Sequence, residues 1–128
     1  MMKKKENQQG IQEEMYRLIV PVEILDYFEI SNVISRKEEV EIELYEKSEL
    51  IPKALLGKEV VSNGYMNPLI LQHFPVMWKR LYLKLIRRRW KEKGDSIGQT
   101  SCQNDYQFTA EGTKATASFG IFLKEYFR

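Results

Sequence analysis

The chain of 128 residues has one cysteine and one histidine, and each scarcity excludes a class of chemistry. Cys102 alone cannot close an internal disulfide, and it cannot supply the roughly four ligands of a structural zinc site. A reducing, cytoplasmic compartment is the expectation. His73 stands between Gln72 and Phe74, and a catalytic histidine needs a nucleophile or carboxylate partner that no pattern here supplies. A packed or hydrogen-bonded histidine is the default reading. Apolar runs such as Leu18 to Val22 fall far short of the roughly 20 residues that cross a bilayer, so no membrane span is expected. The basic start Met1-Met2-Lys3-Lys4-Lys5 leads into Glu6-Asn7-Gln8-Gln9-Gly10 and not into the apolar core of a signal peptide. No glycine-rich phosphate loop, Cys/His metal spacing or nucleophile elbow occurs. The expectation is a non-enzyme without a cofactor.

What is present is an uneven charge. Lys79, Arg80, Lys84, Arg87, Arg88, Arg89, Lys91 and Lys93 face one acid, Glu92, so this stretch is net +7; with 20 basic and 18 acidic residues overall, the remainder is net −5. A local cation cluster suits a polyanion, because releasing counterions from phosphates rewards it whatever the charge elsewhere. Trp78, Tyr82 and Trp90 lie among these cations, where they can stack on bases or brace guanidinium groups; for Trp90 a place in the core is an equal alternative. The candidate nucleic-acid-binding set is Lys79, Arg80, Lys84, Arg87, Arg88, Arg89, Trp90, Lys91, Lys93 and Lys114.

A chain of this length fits one domain, and 43% hydrophobic residues with fifteen aromatics can build a core. Residues 1–10 read as a flexible arm and 11–128 as a single α+β domain. Met15, Leu18, Ile19, Val22, Ile24, Leu25 and Phe28 recur at helical spacing, but Pro21 splits the pattern into a helix ending near Val20 and a short one from Pro21 to Tyr27, both packed on a sheet. Val40, Ile42 and Leu44 alternate with Glu39, Glu41 and Glu43, which predicts a strand with an acidic outer face. That face is solvated or paired with the basic strand; holding a divalent cation is the lesser reading. Ile30 to Ile34 forms a hairpin with it across Ser35 to Glu38.

Lys58 to Ser62 is a further strand, closed by the turn dipeptide Asn63-Gly64, and Leu69 to Phe74 is another, ended by Pro75. Leu81, Leu83 and Leu85 alternate with Tyr82, Lys84 and Ile86, so the basic stretch reads as a strand in preference to a helix. If the alternation continues, Lys84 and Arg88 point away from the leucines and are the better phosphate contacts. Residues 95–105 read as a loop, and a helix follows from about Thr113 with Phe119, Phe122, Leu123 and Tyr126 on one face, weakened by Gly120. The fold class is α+β: a small antiparallel sheet or β-ribbon with N-terminal helices and a C-terminal helix, without zinc ligands.

Three segments carry a resemblance to a known family: Leu25-Asp26-Tyr27-Phe28; Ile70 to Val76 running into Leu81-Tyr82-Leu83-Lys84 and Arg87-Arg88-Arg89-Trp90; and Phe108 to Thr116 followed by Phe119 and Phe122-Leu123-Lys124. Their order and spacing resemble the N-terminal region of bacterial insertion-sequence transposases, the ISAon-type branch related to zinc-ribbon transposases. The resemblance implies a DNA-binding region for transposon ends, with catalysis in a separately encoded subunit and DNA affinity on Arg87, Arg88 and Arg89. Where the zinc-binding relatives have paired cysteines this chain has none, so packing must hold its ribbon. Residues 113–128 correspond to the start of a helix-turn-helix that looks cut short at Arg128. The expected function is therefore DNA binding, in a bacterial, nucleoid-associated location. The alternative is a protein–protein module in which acidic and basic strands pair across a homodimer, and a nuclease using Glu39, Glu41 and Glu43 is a third and weaker reading.

Overall fold

The computed structural model describes residues 2–94, 101–110 and 113–126. Helix α1 (Met2–Ile19) and the single turn α2 (Val22–Leu25) lead into the hairpin β1 (Phe28–Ser35) and β2 (Glu39–Glu46). A 3₁₀ turn (Lys53–Leu55) precedes β3 (Val60–Tyr65), β4 (Leu69–Val76), β5 (Lys79–Ile86) and β6 (Arg88–Glu92), and α3 (Ala117–Tyr126) follows. The fold is α+β, as expected. Among the described residues no helix is long and apolar enough to cross a membrane.

The strands form two sheets, one of four strands in the order β1-β2-β5-β4 and one of β3 with β6. Two antiparallel hairpins, β1–β2 and β4–β5, meet along a central parallel seam, with Val40 opposite Leu81, Ile42 opposite Leu83 and Leu44 opposite Leu85. The expected antiparallel sheet is thus mixed. A parallel pair needs a long crossover, supplied here by everything between β2 and β5. Leu44, Leu71, Leu81, Leu83 and Leu85 are wholly buried beneath Val20, Ile24, Phe28 and Phe108. Each such side chain stabilises the fold by about 1.5–3 kcal/mol.

Several local expectations are corrected. The backbone of the expected arm is helical from Met2; lysine, glutamate and glutamine are all good helix formers. Its apolar stripe does not all reach the sheet: Val20 and Ile24 are buried, but Ile11, Met15, Leu18 and Val22 are exposed. Pro21 precedes α2, its carbonyl accepting from the Ile24 and Leu25 amides at 3.0 and 3.2 Å. Asn63-Gly64 does not close a hairpin but lies inside β3 at a register shift, with Gly64 at φ 79°. Pro75 does not end β4; it falls at the shift between His73 and Val76, where a missing N–H leaves no ladder bond unmade. Residues 95–100 of the expected loop, and 111–112 and 127–128, lie outside the described residues, while Cys102 exchanges two 2.8 Å backbone hydrogen bonds with Trp90.

The C-terminal helix starts at Ala117, later than Thr113, because residues 114–116 run extended along β4, with the Gln72 amide donating to the Lys114 carbonyl and the Thr116 amide to the Gln72 carbonyl, both at 2.9 Å. Phe119 and Phe122 then pack on Phe74 with ring centroids 5.0 and 5.3 Å apart. Gly120 belongs to this packing: a Cβ there would lie 2.4 Å from the Ala110 Cβ. Gly→Ala inside a helix ordinarily stabilises by about 0.5–1 kcal/mol. At Gly120 the sign should reverse, with Gly120→Ala losing about 1–3 kcal/mol through overpacking; an unchanged or higher urea midpoint would contradict this contact.

Candidate nucleic-acid interface

The basic stretch is not one strand: Lys79 to Ile86 form β5, Arg88 to Glu92 form β6, and Arg87 lies between them. Its alternation also breaks. Leu81, Leu83 and Leu85 face the core, but Ile86 is buried as well, Arg87 belongs to neither strand, and Trp90 is buried in β6. The chain changes sheets at Arg87 and its inward parity changes with it. The β5 alternation therefore does not carry over to the faces of β6.

Lys84, expected to be a free phosphate contact, is only 29% exposed and lies 3.8 Å from Glu43. Arg88, the other expected contact, is half-buried: its Nε donates to the Glu46 carbonyl at 2.8 Å and its guanidinium lies 5.6 Å from the centre of the Tyr65 ring. Arg87 is 20% exposed and reaches Asp105 at 3.9 Å, and its buried Nε has no partner among the described residues. Trp90, at 8% exposure, is a core residue whose faces are not open to a base. Arg89 is exposed, with Nε and Nη2 donating to the Tyr65 carbonyl at 3.1 and 2.9 Å. Lys91 is partly exposed, Lys93 and Lys114 are exposed, and none of the three makes an ion pair among the described residues. Lys79 donates to the Ser35 hydroxyl at 2.9 Å and Arg80 lies 4.0 Å from Glu38, both at the far end of the sheet.

The guanidinium cluster is organised by an acid the sequence reading passed over. Glu46 ends β2 at 1% exposure. Its Oε1 accepts from the Arg88 amide at 2.9 Å, and its Oε2 accepts from Asn104 Nδ2 at 3.1 Å and from the Tyr106 hydroxyl. Burial, and then the bond to Glu46, hold the Tyr106 hydroxyl well above its ordinary pKa of 10.0. The signal was legible: Glu46 continues the inward positions Val40, Ile42 and Leu44, and an acid in that register needs buried partners.

Glu39, Glu41 and Glu43 do share the outer face of β2, but Glu39 and Glu41 each lie 3.6 Å from Arg36, and Glu43 faces Lys84. Within one chain, the acids of β2 are thus met by Arg36 of the preceding turn and by Lys84 of β5. Among the described residues no group of three or more His, Cys, Asp or Glu could hold a metal ion. His73 shares a 2.7 Å hydrogen bond with the buried Thr116 hydroxyl.

No family model, curated protein or solved structure matches this chain. The interface must be judged on its own geometry.

Removing the Glu46 carboxylate strands three donors at the junction, so Glu46→Ala should destabilise the fold by about 3 kcal/mol or more; a loss under about 1 kcal/mol in denaturant unfolding would show that the junction does not depend on it. Burial holds His73 below its ordinary pKa of 6.5, partly opposed by Glu23. The unfolded chain then binds the extra proton first, so this contribution to stability is complete above pH 6.5 and fades as pH falls below it. His73→Gln should flatten the stability profile below pH 6.5, and an unaltered slope would place the titration elsewhere.

Proposed function

We propose that this chain is a DNA-binding region of insertion-sequence transposase type, gripping the phosphates of transposon-end DNA through β6, with catalysis in a separately encoded subunit. The observation that carries the reading is the charge the fold leaves over. Arg80, Lys84 and Arg87 each have a carboxylate within 4.0 Å, whereas Arg88, Arg89, Lys91 and Lys93 form a run with no ion pair among the described residues. The acid inside that run, Glu92, turns to Lys58 at 3.9 Å. Arg88 and Arg89 are held by Glu46 and Tyr65 backbone carbonyls, which neutralise no charge. Pre-positioned cations bind a phosphate chain with less side-chain ordering than free ones.

The transposase element of the reading rests on the order of the three segments described above. In the fold they meet in one core: Phe28 packs on Phe108 at 5.9 Å and Phe74 on Phe119 at 5.0 Å between ring centroids. That contiguity supports treating them as one unit. The helix-turn-helix element finds less support, since α3 is the only helix after β6 among the described residues and a recognition helix needs a second helix to hold it. The proposed mode of binding is phosphate gripping, in the cytoplasm and on the nucleoid.

A labelled duplex titrated at several salt concentrations tests this. Each phosphate contact contributes about 0.9 to the slope of log K against log salt, so Arg89→Ala/Lys91→Ala/Lys93→Ala should weaken binding and reduce the slope by about 2–3. Lys84→Ala, which removes a cation already paired, should change it little. No binding at low salt, or a slope indifferent to the triple substitution, would sink the reading; a salt-sensitive dimer without DNA affinity would favour the interaction module.

A further inference from the structure

The β4–β5 turn is the strained point of the molecule. Val76 pairs with Lys79, leaving Met77 and Trp78 as the two central residues, with φ of 50° and 69°. Positive φ at both centres is the geometry for which Asn-Gly is the preferred pair. The chain possesses an Asn-Gly dipeptide and uses it inside β3. Among the described residues Met77 and Trp78 are the only non-glycine residues in that region. They are also among the most open: Met77 is 82% exposed and Trp78 101%.

A turn that accepts two poorly suited side chains, and then buries neither, holds them out for contact. Backbone strain of this kind collects at functional sites. The surroundings say what kind of contact. Lys79 and Arg80 follow directly, and the adjacent β1–β2 turn, tied to β5 by the Arg80 amide donating to the Glu38 carbonyl at 3.0 Å, adds the exposed Arg36 and Lys37. Glu38 lies 4.0 Å from Arg80, and Glu39 and Glu41 each lie 3.6 Å from Arg36, which leaves Lys37 and Lys79 without a carboxylate among the described residues. Exposed pairs of this sort are weak, and a phosphate can displace them. An exposed indole followed directly by Lys79 and Arg80 fits a base with its flanking phosphates, since every base offers a π-face for stacking and a wedge can enter where stacking is already broken.

We infer that the Met77-Trp78 tip is a wedge that stacks Trp78 on an unpaired or unstacked base while Lys79, Arg80 and Lys37 hold the adjoining phosphates. This rests on the DNA-binding reading and assigns it a second contact, at the opposite end of the sheet from β6. The tip distinguishes distorted from regular DNA; β6 supplies affinity for both.

The test titrates the full chain with an intact duplex, the same duplex carrying a single-nucleotide bulge, and anionic phospholipid vesicles, following both anisotropy and tryptophan emission. Trp78 emits from water and Trp90 from the core, so quenching of the red-shifted component reports stacking. The bulged duplex should quench it and bind about tenfold tighter than the intact one, the order expected of one stacked base. Trp78→Ala should abolish both effects, and Trp78→Phe should keep the preference. Met77→Asn/Trp78→Gly relieves the strain, so it should raise the denaturation midpoint while losing the bulge preference, which separates folding from function. Salt-dependent binding with no quenching and no bulge preference would overturn the wedge and leave the β6 reading standing. No binding to either duplex would overturn both, and a blue shift confined to vesicles would make the tip a membrane contact instead.

Discussion

A carboxylate withdrawn from water at the meeting of two sheets is the constraint on which the rest depends. Glu46 has no low-energy place in an apolar layer unless donors surround it, and it recruits them from far along the chain: the first amide of β6 and the side chains of Asn104 and Tyr106. Tyr106 in turn stacks on Phe108, with planes 9° apart and centroids at 5.0 Å, and meets the edge of Phe28. One buried acid thus ties the end of β2, the start of β6 and the 104–108 segment to the core. Arg88 answers from outside, its guanidinium bound to the carbonyl of the same residue.

This junction also decides which cations are left for a ligand. Because β5 continues into a second sheet at Arg87, the stretch that is uniformly basic in sequence is divided in space. In its middle, Lys84 and Arg87 are paired with Glu43 and Asp105, and Arg88 is held by the Glu46 carbonyl. Arg89 and Lys91 on β6, with Lys93 just beyond it, lie past the junction, and Lys79 and Arg80, the latter 4.0 Å from Glu38, lie at the opposite end beside the strained turn. A nucleic acid that touched both ends would lie along the length of the sheet, with charge neutralised at one end and an aromatic presented at the other.

Local structure was legible in the residues themselves. Alternation over Val40 to Leu44 and Leu81 to Leu85 specified two strands and their buried faces, because a period of two admits one inward set. The β1–β2 hairpin followed from its short charged turn, and the split at Pro21 followed from proline's missing donor. The cation cluster was equally plain, since charge can be counted without coordinates. Glu46 was readable in principle, as an acid in an apolar register. Met77-Trp78 was not, because the two-residue gap between strands suits a hairpin while both side chains argue against the backbone it requires.

Tertiary structure alone decided the rest. That two hairpins would join through a parallel seam depends on which edges meet after long crossovers, and no local period encodes it. That β5 would pass into a second sheet put Trp90 inside and Arg88 half inside against the Glu46 carbonyl, while Trp78, at the turn before β5, stayed outside. Composition and periodicity determined that this chain would fold as α+β with a basic strand, because those depend on each residue's own chemistry. Which of those basic and aromatic residues remain open to a partner depends on who their neighbours are, and neighbours exist only once the chain has folded.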